Sequence, residues 1–227
     1  MRSVTKWVVL LLLSAIGVQP VRAQTPPPSP PSTLPSIADK TKGFDKQDGF
    51  VPLHWNRADG TIWLEIPALD TELLYYTSLS AGLGSNDIGL DRGQLGGAHV
   101  VRFQRIGKKV LLVEPNYAVR ATSDNPDERR AVTEAFATSV LWGFEAAAET
   151  DGRVLVDATA FVLRDVHDVV RSLKPASYGL DASRSAVNLA RTKAFPRNTE
   201  LDAILTFTGS GENAYQTGGG LPGGRVP

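Results

Sequence analysis

The sequence predicts an α+β fold, built on a predominantly antiparallel sheet with one well-marked helix and one short helix. Strand patterns outnumber helical patterns, and most neighbouring strands are separated by turns short enough for antiparallel pairing. A single segment combines helix-capping residues with several turns of helical apolar spacing. Of the 227 residues, 42% are hydrophobic and 21% are charged, which is typical of a folded protein.

Runs of β-branched and aromatic residues predict the strands of the first half of the chain. Residues 61–66 (TIWLEI) and 73–79 (LLYYTSL) are two such runs, separated by residues that favour a turn. Residues 98–105 (AHVVRFQR) alternate between apolar and polar side chains, and a short turn connects them to residues 109–114 (KVLLVE). We expect these last two runs to form a hairpin.

The well-marked helix follows this hairpin. Asn125 can cap its first turn, Pro126 suits the first helical position, and Glu128 stands three residues after the cap. Mostly apolar residues then recur at helical spacing and predict one face of an amphipathic helix: Ala131, Val132, Ala135, Phe136, Ser139 and Val140.

Shorter elements are expected in the second half. Residues 143–149 and 153–163 have strand patterns, and the Asp-Gly dipeptide at 151–152 between them is typical of a tight hairpin turn. A short helix is expected over about residues 165–173, followed by a final strand at 203–208.

Residues 1–23 have the three parts of a secretory signal peptide. Arg2 and Lys6 form the positive segment, and residues 7–18 (WVVLLLLSAIGV) form an apolar segment too short for a stable membrane anchor. We expect cleavage between Ala23 and Gln24, and therefore export to the periplasm or the extracellular space without a membrane anchor. The alternative is an uncleaved N-terminal anchor.

Two connectors are expected to flank one globular α+β domain at residues 43–208. Residues 24–42 begin with a proline-rich run that favours an extended linker. Residues 209–227 contain seven glycines, which favours a flexible tail leading towards a missing domain.

Charge and cysteine content exclude several classes of function. The chain has 24 basic and 24 acidic residues, and loss of the three basic residues in the leader leaves a net charge of −3. A mildly acidic protein has no electrostatic footprint for nucleic acid. The absence of cysteine excludes cysteine nucleophiles, thiolate metal sites and disulfides.

The densest polar segment is residues 82–93 (GLGSNDIGLDRG). Asn86, Asp87 and Asp91 offer oxygen ligands among glycines, but their spacing does not match the calcium loop, and the residues of a phosphate loop are missing. We favour a structural loop in which Asp91 and Arg92 pair with neighbouring segments. Metal binding is the alternative.

The remaining polar residues predict no catalytic, cofactor-binding or metal site. No histidine has a second one four residues away, which argues against a helical zinc pair: the three are His54, His99 and His167. Asp157 lies in an apolar strand and predicts a buried carboxylate with Arg164 or Arg184 as its partner. No second acid identifies a catalytic pair, and an independent metal enzyme using the three histidines is the least favoured alternative.

Several short runs between residues 43 and 208 match the sequence of one protein family, and they follow one another in the order expected for that family. They are residues 82–93 (GLGSNDIGLDRG), 101–103 (VRF), 110–117 (VLLVEPNY), 120–121 (RA), 136–144 (FATSVLWGF), 155–159 (LVDAT), 164–165 (RD), 181–185 (DASRS) and 195–200 (FPRNTE). Together they resemble the N-terminal portion, a domain of unknown function, of large bacterial exported zinc-dependent metalloproteases.

The resemblance implies a peptidase family in which a His-Glu-x-x-His helix binds zinc and its glutamate acts on the zinc-bound water. The 227 residues contain no such string, so we expect zinc only in the missing downstream domain and no peptide-bond hydrolysis by this chain alone. The expected function is a non-catalytic N-terminal domain that packs against the protease catalytic domain in cis, or presents peptide or protein substrates to it.

A free-standing extracytoplasmic binding or structural module is the competing interpretation. Such a module should be stable alone and should lack a large apolar patch. A domain that has lost a contacting partner should instead expose such a patch or a strand edge.

Overall fold

The computed structural model describes residues 34–82, 88–173, 177–210 and 225–226. Eight of the strands form one antiparallel sheet: β1 (Asp45–Gln47), β2 (Leu53–Asn56), β3 (Thr61–Ile66), β4 (Glu72–Ser78), β5 (Leu95–Ile106), β6 (Lys109–Glu114), β7 (Ser139–Thr150) and β8 (Arg153–Asp157). Their order in the sheet is β1-β2-β3-β8-β7-β6-β5-β4, so β1 and β4 are the two edges.

The remaining elements are short. The helices are α1 (Ile37–Lys40), α2 (Pro126–Ala135), α3 (Thr159–Val162), α4 (Val169–Ser172) and a 3₁₀ turn at Ala182–Arg184. The other strands are β9 (Ser177–Leu180), β10 (Ala186–Val187), β11 (Lys193–Phe195), β12 (Asn198–Glu200), β13 (Ala203–Ile204), β14 (Phe207–Ser210) and β15 (Arg225–Val226). Strand β10 pairs with β13, β11 with β12, and β14 with both β9 and β15.

This architecture is a β-rich fold, so the predicted α+β class is wrong. Three of the four α-helices in the described residues have four residues each. The short helix predicted over residues 165–173 is present only as the four residues of α4. Asp168 has a left-handed backbone with φ of 54°, and the Asp165 carboxylate accepts hydrogen bonds from the amides of Val169 and Val170, so the helix begins only there.

The strand predicted over residues 153–163 ends early, at Asp157. The Asp157 carboxylate accepts a hydrogen bond of 2.8 Å from the amide of Thr159 and starts α3. Asp157 is exposed, and its predicted burial against Arg164 or Arg184 is wrong. Arg164 instead binds a tyrosine, and Arg184 binds an aspartate three residues before it.

Two predicted hairpins are confirmed. Strands β5 and β6 pair antiparallel around Gly107, whose φ is 61°. Strands β7 and β8 are joined at Asp151 and Gly152, which both have positive φ, as a tight turn with a right-handed strand twist requires. Strand β7 begins at Ser139, earlier than expected, because the helix before it ends at Ala135.

The sheet is curled, and one face of it, here called the inner face, carries the main apolar core. Phe161 of α3 packs on this face, with its ring centroid 5.3 Å from that of Phe144 and 5.8 Å from that of Trp142. The strands contribute Leu53, Ile62, Leu64, Ile66, Val101, Phe103, Val110, Leu112, Ala146, Val154 and Val156 to the same core.

The opposite face, here called the outer face, is covered at one end by α1. Ile37 is buried there in a small apolar cluster with Trp63, Ala148 and Leu155. The amide of Ile37 donates a 3.0 Å hydrogen bond to the hydroxyl of Thr150. This helix lies within the predicted linker 24–42, so the folded part of the chain begins before residue 43.

The predicted tail at 209–227 also overlaps the fold, because Gly209 pairs with Tyr178 and Arg225 pairs with Thr208. Residues 24–33 and 211–224 lie outside the described part, as do the signal peptide and its cleavage site. No helix among the described residues is long and apolar enough to cross a membrane.

Candidate functional site

The β4 end of the sheet has an open strand edge. Within the described residues β4 pairs with β5 alone, and seven residues of it form the edge. Leu74 and Tyr76 point to the outer face and are 64% and 57% exposed. Edge strands in native proteins are usually short, charged or covered by another element. Strand β4 has seven residues, and Glu72 is its one charged residue.

Exposed apolar side chains continue from this edge across the outer face. Val100 lies opposite Leu74 in the β4–β5 pair, and Val140 lies opposite Val113 in the β6–β7 pair. Both Val100 and Val140 are exposed. We call the four side chains Leu74, Tyr76, Val100 and Val140 the outer apolar face.

A groove borders the outer apolar face. It has a volume of about 420 Å³, and Val100, Glu114, Tyr117 and Ala137 are among its lining residues. The Tyr117 hydroxyl donates a hydrogen bond to the Glu72 carboxylate, which ties the segment after β6 to the edge strand. The groove therefore lies between the sheet and the segments that flank α2.

Helix α2 begins as predicted, with the Asn125 side chain accepting a 2.9 Å hydrogen bond from the amide of Asp127. No residue of the helix is buried, although an amphipathic face was predicted. Phe136, which follows it, is 42% exposed. Ser139 and Val140, which were predicted to continue the helical face, belong to β7 instead. The residues of α2 are exposed apart from Val132, which is partly buried, so the apolar side of the helix has little cover in the described structure.

A polar cluster lies near the same edge on the inner face. The carboxylate of Glu114 and Nδ1 of His99 are 2.8 Å apart, and both side chains are about one third exposed. The ring of Tyr75 lies 6.1 Å from that of His99 and 5.8 Å from that of Phe161. A carboxylate bound to one imidazole nitrogen fixes the ring and orients the other nitrogen.

Arg164 completes this inner cluster. Its Nη2 donates a 2.9 Å hydrogen bond to the Tyr75 hydroxyl, and its guanidinium stacks 4.3 Å from the Phe161 centroid and 5.1 Å from that of Trp142. Within the described residues its side chain forms no ion pair, and its Nε is buried without a hydrogen-bond partner. The guanidinium is held mainly by aromatic faces.

Gly97 makes room for the His99 ring. A Cβ added at Gly97 would lie 2.8 Å from Nε2 of His99, and at the preceding glycine it would meet the Thr77 hydroxyl. The two glycines lie where the β4–β5 register shifts, between Tyr76 and Ser78.

We predict that Gly97→Ala displaces the His99 ring from Glu114 and lowers the free energy of unfolding by about 1–2 kcal/mol, as overpacking does. Chemical denaturation and the His99 imidazole resonances measure the two effects. Gly179→Ala is the matched control, because a Cβ at this strand position meets no atom within 4 Å. Equal effects of the two substitutions would contradict the packing role of Gly97.

A buried carboxylate lies on the outer face at the other end of the sheet. Glu65 is 1% exposed, and its Oε2 is 2.8 Å from Nε2 of His54, which is 4% exposed. Arg153 donates a hydrogen bond to its Oε1, and Lys46 lies 3.7 Å from Oε2. Burying a carboxylate requires such partners, and three surround this one.

Lys46 connects this network to solvent. It binds Asp48 at 2.8 Å, and this hydrogen bond, together with the charge of Glu65, raises the pKa of Lys46 despite partial burial. The same hydrogen bond lowers the pKa of Asp48. The network is thus fully charged at neutral pH on its solvent side, which suits a structural clamp between β1, β2, β3 and β8.

The structure separates the three histidines. His54 binds Glu65, His99 binds Glu114, and Nε2 of His167 is buried without a partner. Among the described residues, no group of three or more His, Asp or Glu side chains is placed to hold a metal. The carboxylate partners of His54 and His99 are not predicted by the sequence patterns.

Only part of the polar loop at residues 82–93 is described. Asn86 and Asp87 lie outside the described residues. Asp91 and Arg92 are exposed and form no ion pair with the rest of the described chain, and the amide of Asp91 binds the side chain of Gln94 at 3.2 Å. Apolar residues that no sequence motif marked anchor the loop: Ile88 and Leu90 pack with Val169, Leu173, Tyr178 and Phe207.

Two protein-family models match the chain. A model described as a domain of unknown function (DUF5117) matches residues 93–221, more than half of the chain. The chain belongs to the DUF5117 family. A second model, described as a domain of unknown function (DUF5118), matches residues 34–82. No curated protein and no solved structure matches the chain.

The two family matches share one sheet. The DUF5118 match contains α1 and β1 to β4, and the DUF5117 match contains β5 to β8. Strand β3 pairs with β8 and β4 with β5, so strands from the two matches join at two places. The outer apolar face combines Leu74 and Tyr76 of the DUF5118 part with Val100 and Val140 of the DUF5117 part.

Proposed function

We propose that this chain is a non-catalytic domain of an exported zinc-dependent metalloprotease, and that its outer apolar face docks onto the protease catalytic domain. The observation that supports the proposal is that one end of the outer face is covered by a helix and the other end is exposed. Helix α1 buries one end of it through Ile37, Trp63, Ala148 and Leu155, whereas Leu74, Tyr76, Val100 and Val140 stay exposed at the other end.

Exposed apolar surface of this kind supports docking on energetic grounds. Burying apolar area contributes roughly 25 cal/mol per Å², so a patch of aliphatic and aromatic side chains is a favourable centre for an interface. The segments that flank α2 border this surface, since Tyr117 and Ala137 line the same groove as Val100. Contiguous apolar patches on soluble proteins mark partner surfaces more often than chance exposure does.

In this proposal the chemistry belongs to the partner domain. Zinc held by a His-Glu-x-x-His helix would supply the activated water, and no side chain of this chain takes part in that step. This chain contributes the docking surface and holds the partner beside its substrate, a peptide or protein. Residues 1–23 support export to the periplasm or the extracellular space, where both domains would act.

The docking test uses the catalytic domain of a full-length member of the resembled protease family, produced separately. Val100→Lys with Val140→Lys places two charges in the outer apolar face without disturbing the core, because both positions are exposed. We expect the double variant to bind the catalytic domain at least tenfold more weakly by calorimetry. Ile204→Lys, at an exposed position of β13, is the control and should bind like the parent chain.

Equal binding by the double variant and the control would sink the docking proposal. A monodisperse chain that shows no binding at all would favour the free-standing module. The non-catalytic part has its own test, which is hydrolysis of casein by the purified chain with added zinc. We expect no turnover, and turnover that a chelator abolishes would overturn this part.

A further inference from the structure

We infer that the open edge of β4 accepts an extended peptide segment as an added strand. The inference rests on the proposed function in its choice of ligand, because a domain beside a protease active site meets polypeptide in extended form. Every second residue of an edge strand turns its N–H and C=O away from its neighbour. In β4 these groups have no partner among the described residues.

The two edges of the eight-stranded sheet differ in a way that singles out β4. Strand β1 is only three residues long, and two of them, Asp45 and Lys46, are charged and form ion pairs. Strand β4 has seven residues, and none of residues 73–78 is charged. Charge and shortness protect an edge from pairing, so β1 is protected, whereas β4 is open within the part of the chain that the structure describes.

The side chains along β4 determine which segment fits. Leu74 and Tyr76 flank the edge on the outer face, and Tyr75 and Thr77 flank it on the inner face. An added strand places alternate side chains on the two faces, beside these residues. The structure assigns a ligand with apolar side chains at alternate positions and small polar ones between them.

A flexible peptide suits this edge better than a second copy of the chain. Seven residues of strand span roughly 24 Å, and with a width of about 10 Å they offer a few hundred Å² of contact. A stable complex of two folded proteins buries about 800 Å² on each partner. A peptide can contact the side chains on both faces of the β4 edge at once. A second folded copy is too bulky to bring as much of its surface against this edge.

The test uses a labelled peptide of sequence Lys-Thr-Val-Thr-Val-Thr-Val-Thr-Lys and fluorescence anisotropy. We expect saturable binding to the full chain. The same peptide N-methylated at two consecutive central residues loses hydrogen-bond donors on both of its edges and should bind at least tenfold more weakly. This comparison separates strand pairing from general apolar adsorption.

The protein-side variant is Leu74→Lys with Tyr76→Lys, which changes two exposed side chains and gives β4 the charges that protect β1. We expect about tenfold weaker peptide binding, because the lysines replace the apolar cross-strand contacts that Leu74 and Tyr76 offer. Ile204→Lys is again the control. Circular dichroism and a thermal melt of each variant establish that the fold is retained.

Three outcomes would overturn the inference: absence of saturable binding, equal binding of the N-methylated peptide, or equal binding by the lysine double variant. Self-association of the chain that the β4 lysines abolish, without an effect on peptide, would assign the edge to a second copy instead. Failure of peptide binding leaves the docking result at Val100 and Val140 unaffected, so the two proposals fail separately.

Discussion

Replacing Glu65 by alanine is expected to lower the free energy of unfolding by about 3 kcal/mol, one of the two largest effects of a single substitution that we predict. The loss of this carboxylate leaves His54 buried without its 2.8 Å partner and removes the anion that Arg153 and Lys46 share. Arg153 and Lys46 are about 40% exposed and can turn to water, so most of the cost arises at His54.

Urea denaturation of the variant and of two comparison variants measures this effect. Glu134→Ala removes an exposed glutamate from α2 that pairs with Arg130 at 3.8 Å, and it should cost about 0.5 kcal/mol or less. A double-mutant cycle between His54→Ala and Glu65→Ala should give a coupling energy of at least about 1 kcal/mol. A Glu65→Ala variant as stable as Glu134→Ala would show that the network is not a clamp.

Phe161→Ala is expected to cost about 3–5 kcal/mol, the usual range for a buried aromatic ring. Phe161 contacts Tyr75, Trp142 and Phe144, and the Arg164 guanidinium stacks on its face. Its removal opens the inner core and frees the polar cluster near the β4 edge at the same time. Chemical denaturation measures the first effect, and the near-ultraviolet circular dichroism, to which Trp142 contributes, reports the second.

Phe195→Ala is the matched control for this prediction, since the Phe195 ring in β11 is 43% exposed. It should change the free energy of unfolding by about 0.5 kcal/mol or less. If the two variants lost similar amounts of unfolding free energy, the packing of α3 through Phe161 would not be important for the core of the curled sheet.

Local signals in the sequence predicted local structure well. The Asp-Gly pair at 151–152 forms its turn, and Asn125 caps α2, because these effects act over a few residues. The prediction of the fold class was wrong because the spacing of apolar residues indicates which side of an element is apolar but not which other element packs against that side. No residue of α2 is fully buried and only Val132 is partly buried, and the segment around Asp165 forms only one turn of helix.

The candidate site was harder to predict because register decides it. Glu65 and Asp157 are both single acids in apolar strands, and only the first is buried. Glu65 pairs with a residue 88 positions away, whereas Asp157 ends its strand and caps a helix. The open edge at β4 likewise depends on the order of eight strands, which alternation in a single strand does not encode.

Hydrogen–deuterium exchange of the chain, alone and with the separately produced catalytic domain, tests the docking surface most directly. We expect protection on mixing at residues 72–78, 98–102 and 136–142, with no change at α1 or at β1 and β2. Protection confined to the α1 end, or no protection at a concentration where the two proteins bind, would contradict the assignment of the outer apolar face.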